Sequence, residues 1–442
     1  MDDLGWADLS SYGSTFYETP HLDKLASEGL RFTNAYAACP VCSPTRASIM
    51  TGKYPARLGI TNYLPGKHPL AYSKLIGTEP VQNLPLEEVT IPEALAPLGY
   101  ISGHIGKWHL GSEPFFPEKQ GFATNVGGTN SGMPASFFYP QWGKNPPVEA
   151  APGEYLTDRL TDEAIRFLDA NKSRPFFLYL AHYAVHVPIE AKQELVAKYR
   201  KKLRPGQRQN DPVYAAMIQS MDESVGRIMK TIDDLGLRRN TVILFTSDNG
   251  GLSAPEWKLK PVTSNFPLRE GKGHVYEGGI RVPLIVRGPA FRKGAVVDQP
   301  VCSVDYFSTL LDLAGSSSLP KTDGVSLAGL LQSDTELERR DLFWHYPHYS
   351  NQLGRPASAI RRGTLKLIQF HEDNHVELYD ISEDVGEAKD LSGALPEKTR
   401  ELKDALAKWL ASVNARMPTA NPKYDPAREG EGYWWKTGTS PK

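Results

Sequence analysis

The feature that most limits how this chain can fold is a pair of unbroken apolar runs, Pro175–Ala181 and Asn240–Ser247. A strand with one face in water alternates apolar and polar residues. A continuous run instead needs cover on both faces. Stretches with helical spacing separate these runs: Tyr155–Asn171 precedes the first and Asp211–Leu235 the second. Ile280–Gly288 reads as a third strand and Ser303–Ala314 as the helix after it. Nearer the start, Pro20–Phe32 carries a helical pattern that stops at Gly29, and Thr90–Leu98 a helix ended by Gly99, ahead of the short strand Tyr100–Gly106. Helices alternating with buried strands predict an α/β fold with a large, mostly parallel sheet sandwiched by helices. The pattern changes after Pro320. Ala359–Phe370 and Val376–Ile381 read as half-exposed strands of a small antiparallel sheet, followed by a helix over Pro396–Val413. With 442 residues the chain is long enough for two domains, expected over 1–335 and 336–442.

The formal net charge of -1, with no long basic run, gives nucleic acid no electrostatic footprint. No apolar run is long enough to span a bilayer and no signal peptide is present. Asp2 and Asp3 follow Met1 with no strand before them, so the start reads as lacking an export signal, a first strand or both. Three cysteines, Cys39, Cys42 and Cys302, do not make a disulfide framework. Cys39 and Cys42 could form a redox or zinc pair, but no second pair with metal spacing accompanies them.

Ligands of open α/β sheets gather at the carboxyl ends of the strands. The run ending at Ser247 delivers Asp248-Asn249-Gly250-Gly251 there, and Asp2-Asp3-Leu4-Gly5 has the same form. Three carboxylates and an amide carbonyl are hard oxygen donors suited to Ca²⁺, or to Mg²⁺. In Cys42-Ser43-Pro44-Thr45-Arg46 a thiol stands just ahead of a helix start, with proline in the first turn. The positive helix end would face that thiol, which suggests chemistry on a sulfate or phosphate ester. Gly106-Lys107-Trp108-His109 sets a cation and an imidazole two residues apart, on one side of extended backbone. His182 and His186 follow the Pro175–Ala181 run, and Lys272 lies between glycines in Gly271-Lys272-Gly273-His274. Glu277 and Arg281 read as structural. The irregular stretch 111–153, with Asn130, and the cluster Trp344–Tyr349, with His345 and His348, are candidate substrate walls. Inter-domain packing is the other use open to that cluster.

Asp-Asp-x-Gly, Cys-x-Pro-x-Arg, Gly-Lys-Trp-His-x-Gly, His-x-Pro, Ser-Asp-Asn-Gly and Gly-Lys-Gly follow one another in this order across nearly the whole chain. The ordered set resembles the type I formylglycine-dependent sulfatases of the alkaline phosphatase superfamily. That resemblance implies an alkaline phosphatase-like fold and sulfate ester hydrolysis, and the long insertion at 111–153 makes a sulfated carbohydrate, rather than a small aryl sulfate, the expected substrate. It also implies that Cys42 is oxidised to formylglycine by a maturing enzyme, either a formylglycine-generating or an anaerobic sulfatase-maturing one. Asp2, Asp3, Asp248 and Asn249, with the modified Cys42, would hold Ca²⁺. Arg46 would steady the hydrated aldehyde, while Lys107 and Lys272 bind sulfate oxygens. His186, assisted by Lys272, would protonate the leaving alcohol, and His109 would take the remaining hydroxyl proton. His182, Asn130, His345 and His348 are carried as substrate contacts. Family likeness also implies export to the periplasm or outside the cell. Two other activities fit the same residues: phosphodiester or phosphonate monoester hydrolysis, and glycan binding by a protein whose Cys42 stays a thiol.

Overall fold

In the computed structural model, which describes residues 1–66, 70–256, 259–318, 320–333 and 335–431, the apolar runs form strands, but most of their residues are half-buried rather than covered on both faces, because a cavity opens between the two runs. The elements that carry the site are, in chain order, α1 (Pro20–Glu28), β1 (Leu30–Phe32), α2 (Cys42–Thr51), β2 (Ile101–Gly106), β3 (Thr124–Val126), α3 (Leu156–Asn171) and β4 (Phe176–Ala181). They continue with α4 (Pro212–Asp234), β5 (Ile243–Thr246), β6 (Leu284–Arg287), β7 (Ala295–Val297) and α5 (Asp305–Leu313). Local chemistry sets the ends. Asp211 caps α4 by accepting from the N–H groups of Val213 and Tyr214, with Pro212 in the first turn.

β2 lies between β3 and β4, parallel to both. A second sheet has the order β5-β6-β1-β7, in which β6 runs antiparallel to β5 and to β1, while β1 and β7 are parallel. The reversal at β6 has a simple origin. Between β5 and β6 the chain returns through a mostly irregular segment rather than the long helical crossover that a parallel neighbour requires. That segment carries Asp248, Asn249 and Lys272. Leu160 and Ala164 of α3 pack with Met217, Ile218 and Met221 of α4 and with Phe245 of β5 in one apolar core. The first residues tie the strand ends together: the Met1 amino group donates to the Thr246 carbonyl (2.7 Å), and the Asp2 N–H to the Ala184 carbonyl (3.0 Å).

Beyond these lies an antiparallel sheet of β8 (Asp341–Tyr346), β9 (Ala357–Arg362), β10 (Leu365–Phe370) and β11 (Val376–Asp380), in that order, with α6 (Pro396–Ser412) against it. The strand expected over Ala359–Phe370 is therefore a hairpin. Gly363, with φ +60°, opens the two-residue loop that turns the chain between Arg362 and Leu365. Nor is this sheet half-exposed. Ala359 and Ile368 pack with Trp344 and Tyr346, while Leu402, Leu406 and Leu410 of α6 cover Ile360, Leu367 and Leu378 on the opposite face. The sheet is also bonded to the rest of the protein. Lys366 of β10 donates to Glu277 (2.9 Å) and to Glu387 (2.8 Å), all three fully buried.

Candidate active site

α2 begins at Cys42 itself rather than one residue later, so the thiol belongs to the first turn, where N–H groups lack intrahelical partners. Every residue of α2 is buried. Arg46, one turn on, donates through Nε to Asp248 Oδ2 (2.9 Å) and through Nη1 to the Lys107 carbonyl (2.9 Å). Gly106 ends β2 with φ +103°, and a Cβ there would lie 2.0 Å from the Ala181 carbonyl oxygen. Only glycine permits this close approach, after which the Lys107 N–H donates to that same oxygen (2.7 Å). Lys107 then reaches Asp2 Oδ2 (2.7 Å). His109 also turns into the site. It does so by a left-handed backbone (φ +58°) and not by the extended i, i+2 geometry expected from the sequence.

Three carboxylates and three cations thus surround Cys42. Lys272 donates to Asp3 Oδ2 (2.8 Å) and to His186 Nε2 (3.0 Å). Burial pushes the Asp2 carboxyl up, but Lys107, His186 and Arg46 outweigh it and hold it below the usual carboxylate range. Burial works against the charged form of Lys272 too. Its closeness to Asp3 and Glu256 prevails and keeps it protonated, well above an ordinary lysine. Burial raises the Cys42 thiol, with Lys107 and Lys272 opposing it only in part, so the unmodified residue is a poor nucleophile at neutral pH.

Both histidines have assignable protons. His109 Nε2 lies 2.6 Å from the Leu64 carbonyl, which can only accept, so Nε2 bears the hydrogen and Nδ1 presents a lone pair to Cys42 Sγ at 3.4 Å. Burial, then Lys107, hold this ring well below the ordinary histidine value, hence neutral. His186 Nδ1 donates to the Val187 carbonyl (2.9 Å), leaving Nε2 to accept from Lys272.

A sulfatase family profile matches residues 1–316, and one described as N-sulphoglucosamine sulphohydrolase, C-terminal, matches residues 271–416. The chain belongs to the sulfatase family. It is a sulfuric ester hydrolase. It is 32% identical to a sulfatase of Formosa agariphila, across 94% of this chain and 88% of that protein. It is 36% identical to human N-acetylgalactosamine-6-sulfatase, across 77% of this chain and 66% of that protein. The crystal structure of Ps i-CgsB in complex with k-i-k-neocarrahexaose superposes with a TM-score of 0.78 at 28% identity, covering 99% of this chain and 96% of that one.

Members of this family generally use formylglycine and a divalent metal, and the site fits a hard cation. Asp2 Oδ1 and Asn249 Oδ1 are buried without a hydrogen-bond donor among the described residues. Asp2, Asp3 and His186 offer ligand atoms within 4.8 Å of one another. Asn249 turns its Nδ2 to Asp3 Oδ1 (2.8 Å), which leaves its carbonyl oxygen as the free donor.

The structure brings Cys42, Arg46, Lys107, His109, His186, Lys272, Asp2, Asp3, Asp248 and Asn249 together. Four expected substrate contacts fare differently. His182 is buried with Nε2 on Ser224 of α4 (2.8 Å), and desolvation lowers it to about 3; it is a core residue. His345 is held between Ser358 and the Arg416 carbonyl within the antiparallel sheet. His348 bonds Thr61 (2.8 Å), and Trp344 donates to the Ala37 carbonyl (2.8 Å), so the 344–349 cluster is packing between sheet and site. Asn130 alone stays exposed, in the loop whose Thr129 carbonyl accepts the His109 N–H and whose Gly132 lies against the His109 ring. Leu64, Tyr63, Glu256 and Gln352 come to the site unannounced by any motif. A cavity of about 710 Å³ between β4 and β5 has apolar walls and includes neither Cys42 nor either active-site histidine, so the chemistry does not occur there.

Proposed function

We propose that the protein hydrolyses an O-sulfate ester of a carbohydrate, with Cys42 acting as formylglycine and Ca²⁺ held by Asp2, Asp3, Asp248 and Asn249. The observation that carries this reading is the convergence on Cys42 of three carboxylates, three cations and two histidines with assigned ring protons. The name of the human relative, N-acetylgalactosamine-6-sulfatase, and the k-i-k-neocarrahexaose held in the superposed crystal structure favour a sulfated sugar. A divalent cation held by these residues would supply positive charge to the site. Oxidised and hydrated, residue 42 would offer a hydroxyl oxygen that bonds to sulfur as the bond from sulfur to the sugar oxygen breaks, where the thiol is inert.

The chain's own groups do the rest. Arg46 orients residue 42 from one helical turn away, itself fixed by Asp248. Lys107 and Lys272 meet the sulfate oxygens as charge builds on them. His186 Nε2 protonates the departing sugar oxygen, with Lys272 assisting from hydrogen-bond distance. His109 Nδ1 takes the remaining hydroxyl proton of residue 42, so that sulfate departs and the aldehyde returns. A maturing enzyme must first install that aldehyde, and export follows the family. The same reading divides the chain near residue 335 into a catalytic unit and a smaller one behind it; residues 432–442 lie outside the described structure.

The test uses protein co-produced with a formylglycine-generating enzyme, with the intact mass of the Cys42 peptide measured. Matched sulfate and phosphate esters are assayed beside sugar monosulfates of defined position. Turnover of a sugar sulfate by the aldehyde form is the expected result. A preference for phosphate, or equal activity with an unmodified thiol, refutes the proposal.

A further inference from the structure

Glu256 belongs to none of the groups assigned above, yet it lies beside them. It is 5% exposed, and its Oε2 is buried with no hydrogen-bond partner among the described residues. An unpartnered carboxylate oxygen at such a depth is costly unless something donates to it. Its other oxygen is fixed, since Gln352 Nε2 donates to Oε1 at 2.8 Å.

Gln352 is itself held against the catalytic loop. Its carbonyl accepts from His274 Nε2 (2.7 Å), and a Cβ on Gly273, next to Lys272, would lie 2.7 Å from its Oε1. The neighbouring Asn351 donates to the Tyr63 hydroxyl (3.3 Å), and Tyr63 feels the charges of Glu256, Lys272 and Cys42 together. Glu256 therefore stands on the Lys272–His186 side of the site, where the leaving alcohol departs, and not on the Arg46–Lys107 side. A carboxylate repels sulfate, so its use here is to recognise a neutral donor on the group that carries the sulfate.

Resting on the carbohydrate reading, we propose that Glu256 Oε2 accepts a hydrogen bond from a hydroxyl or amide N–H of the leaving sugar. Glu256 is then a specificity-determining residue and Gln352 its positioning partner. A second sulfate at that sugar position is excluded by charge.

The experiment measures kcat/KM of the matured protein and of its Glu256→Gln and Glu256→Leu variants. Substrates are a panel of hexose and N-acetylhexosamine monosulfates, mono-deoxy analogues of the best one, and 4-nitrophenyl sulfate, which lacks sugar hydroxyls. Thermal melts check folding, and E256Q, equal in volume, serves if E256L does not fold. For the best sugar sulfate the expected losses are about 10-fold in E256Q and about 100-fold in E256L, with losses on 4-nitrophenyl sulfate at least about fivefold smaller, since there only the charge that favours protonated Lys272 is missing. One deoxy analogue should show the same loss with the parent protein and no further loss with E256L. Equal losses on both substrate classes, or none on the sugar, overturn the role of Glu256. A parent protein with no preference for any sugar over the aryl ester overturns the carbohydrate reading and this proposal with it.

Discussion

His109 shows how one contact assigns a role: because the Leu64 carbonyl claims the Nε2 hydrogen, the basic nitrogen can only face residue 42. His109→Ala should lower kcat by about 10²–10³-fold, the range of a lost general base, with a smaller change in KM; steady-state kinetics of the matured protein decide this. Asp2, Asp3 and Asn249 make the complementary case for the cation. Calorimetric titration should detect Ca²⁺ binding, and Asp3→Asn should weaken it. Calcium at about 100 times its Kd should stabilise the protein by about 2.7 kcal/mol, read as a higher Tm that chelation reverses. A melt unmoved by either treatment would remove the metal from the site.

At the scale of elements, the site is a set of strand ends and one helix start held by close backbone contacts. Gly106 makes one of the tightest, with 2.0 Å to the Ala181 oxygen for any added Cβ. Gly106→Ala should cost about 3 kcal/mol, seen as a lower urea midpoint, and should depress turnover by shifting Lys107 from Asp2. The apolar runs and their helices were legible before the structure because a block of apolar side chains between helical patterns leaves a direct mark on a sequence, although most residues of the two runs are only half-buried. The hairpin at Gly363 was not. Arg362, Gly363 and Thr364 lie inside one stretch of strand-forming residues, and a two-residue loop with a single glycine leaves little trace.

Across the whole molecule, the Glu277–Lys366–Glu387 triad joins the antiparallel sheet to the segment that follows Lys272. Lys366→Ala would take the cation from buried Glu387, while Glu277 keeps Arg281 and the Tyr36 hydroxyl, and should lower stability by about 3–5 kcal/mol by denaturant titration. Burial, with Glu277 nearby, pushes Glu387 up to about 7 against the opposing pull of Lys366. A group raised in the folded state binds more protons there than when unfolded. Its contribution is full below its unfolded value near 4.5 and is lost as pH rises through about 7. The Tm should therefore decline over that window on account of Glu387, and Glu387→Gln should flatten the decline.

The sequence by itself determined the α/β class, through its apolar runs and helical patterns, and the ten residues gathered in the site, through short ordered motifs that resemble those of the sulfatases. Tertiary structure alone decided the rest. His182, His345 and His348 carry chemistry in isolation, but Ser224, Ser358 and Thr61, on other elements of the fold, each claim one of their ring nitrogens. Glu256 and Gln352 carry no motif, and only the packing of two loops 96 residues apart sets them beside Lys272. Short-range patterns record which residues can react; long-range packing decides which of them meet.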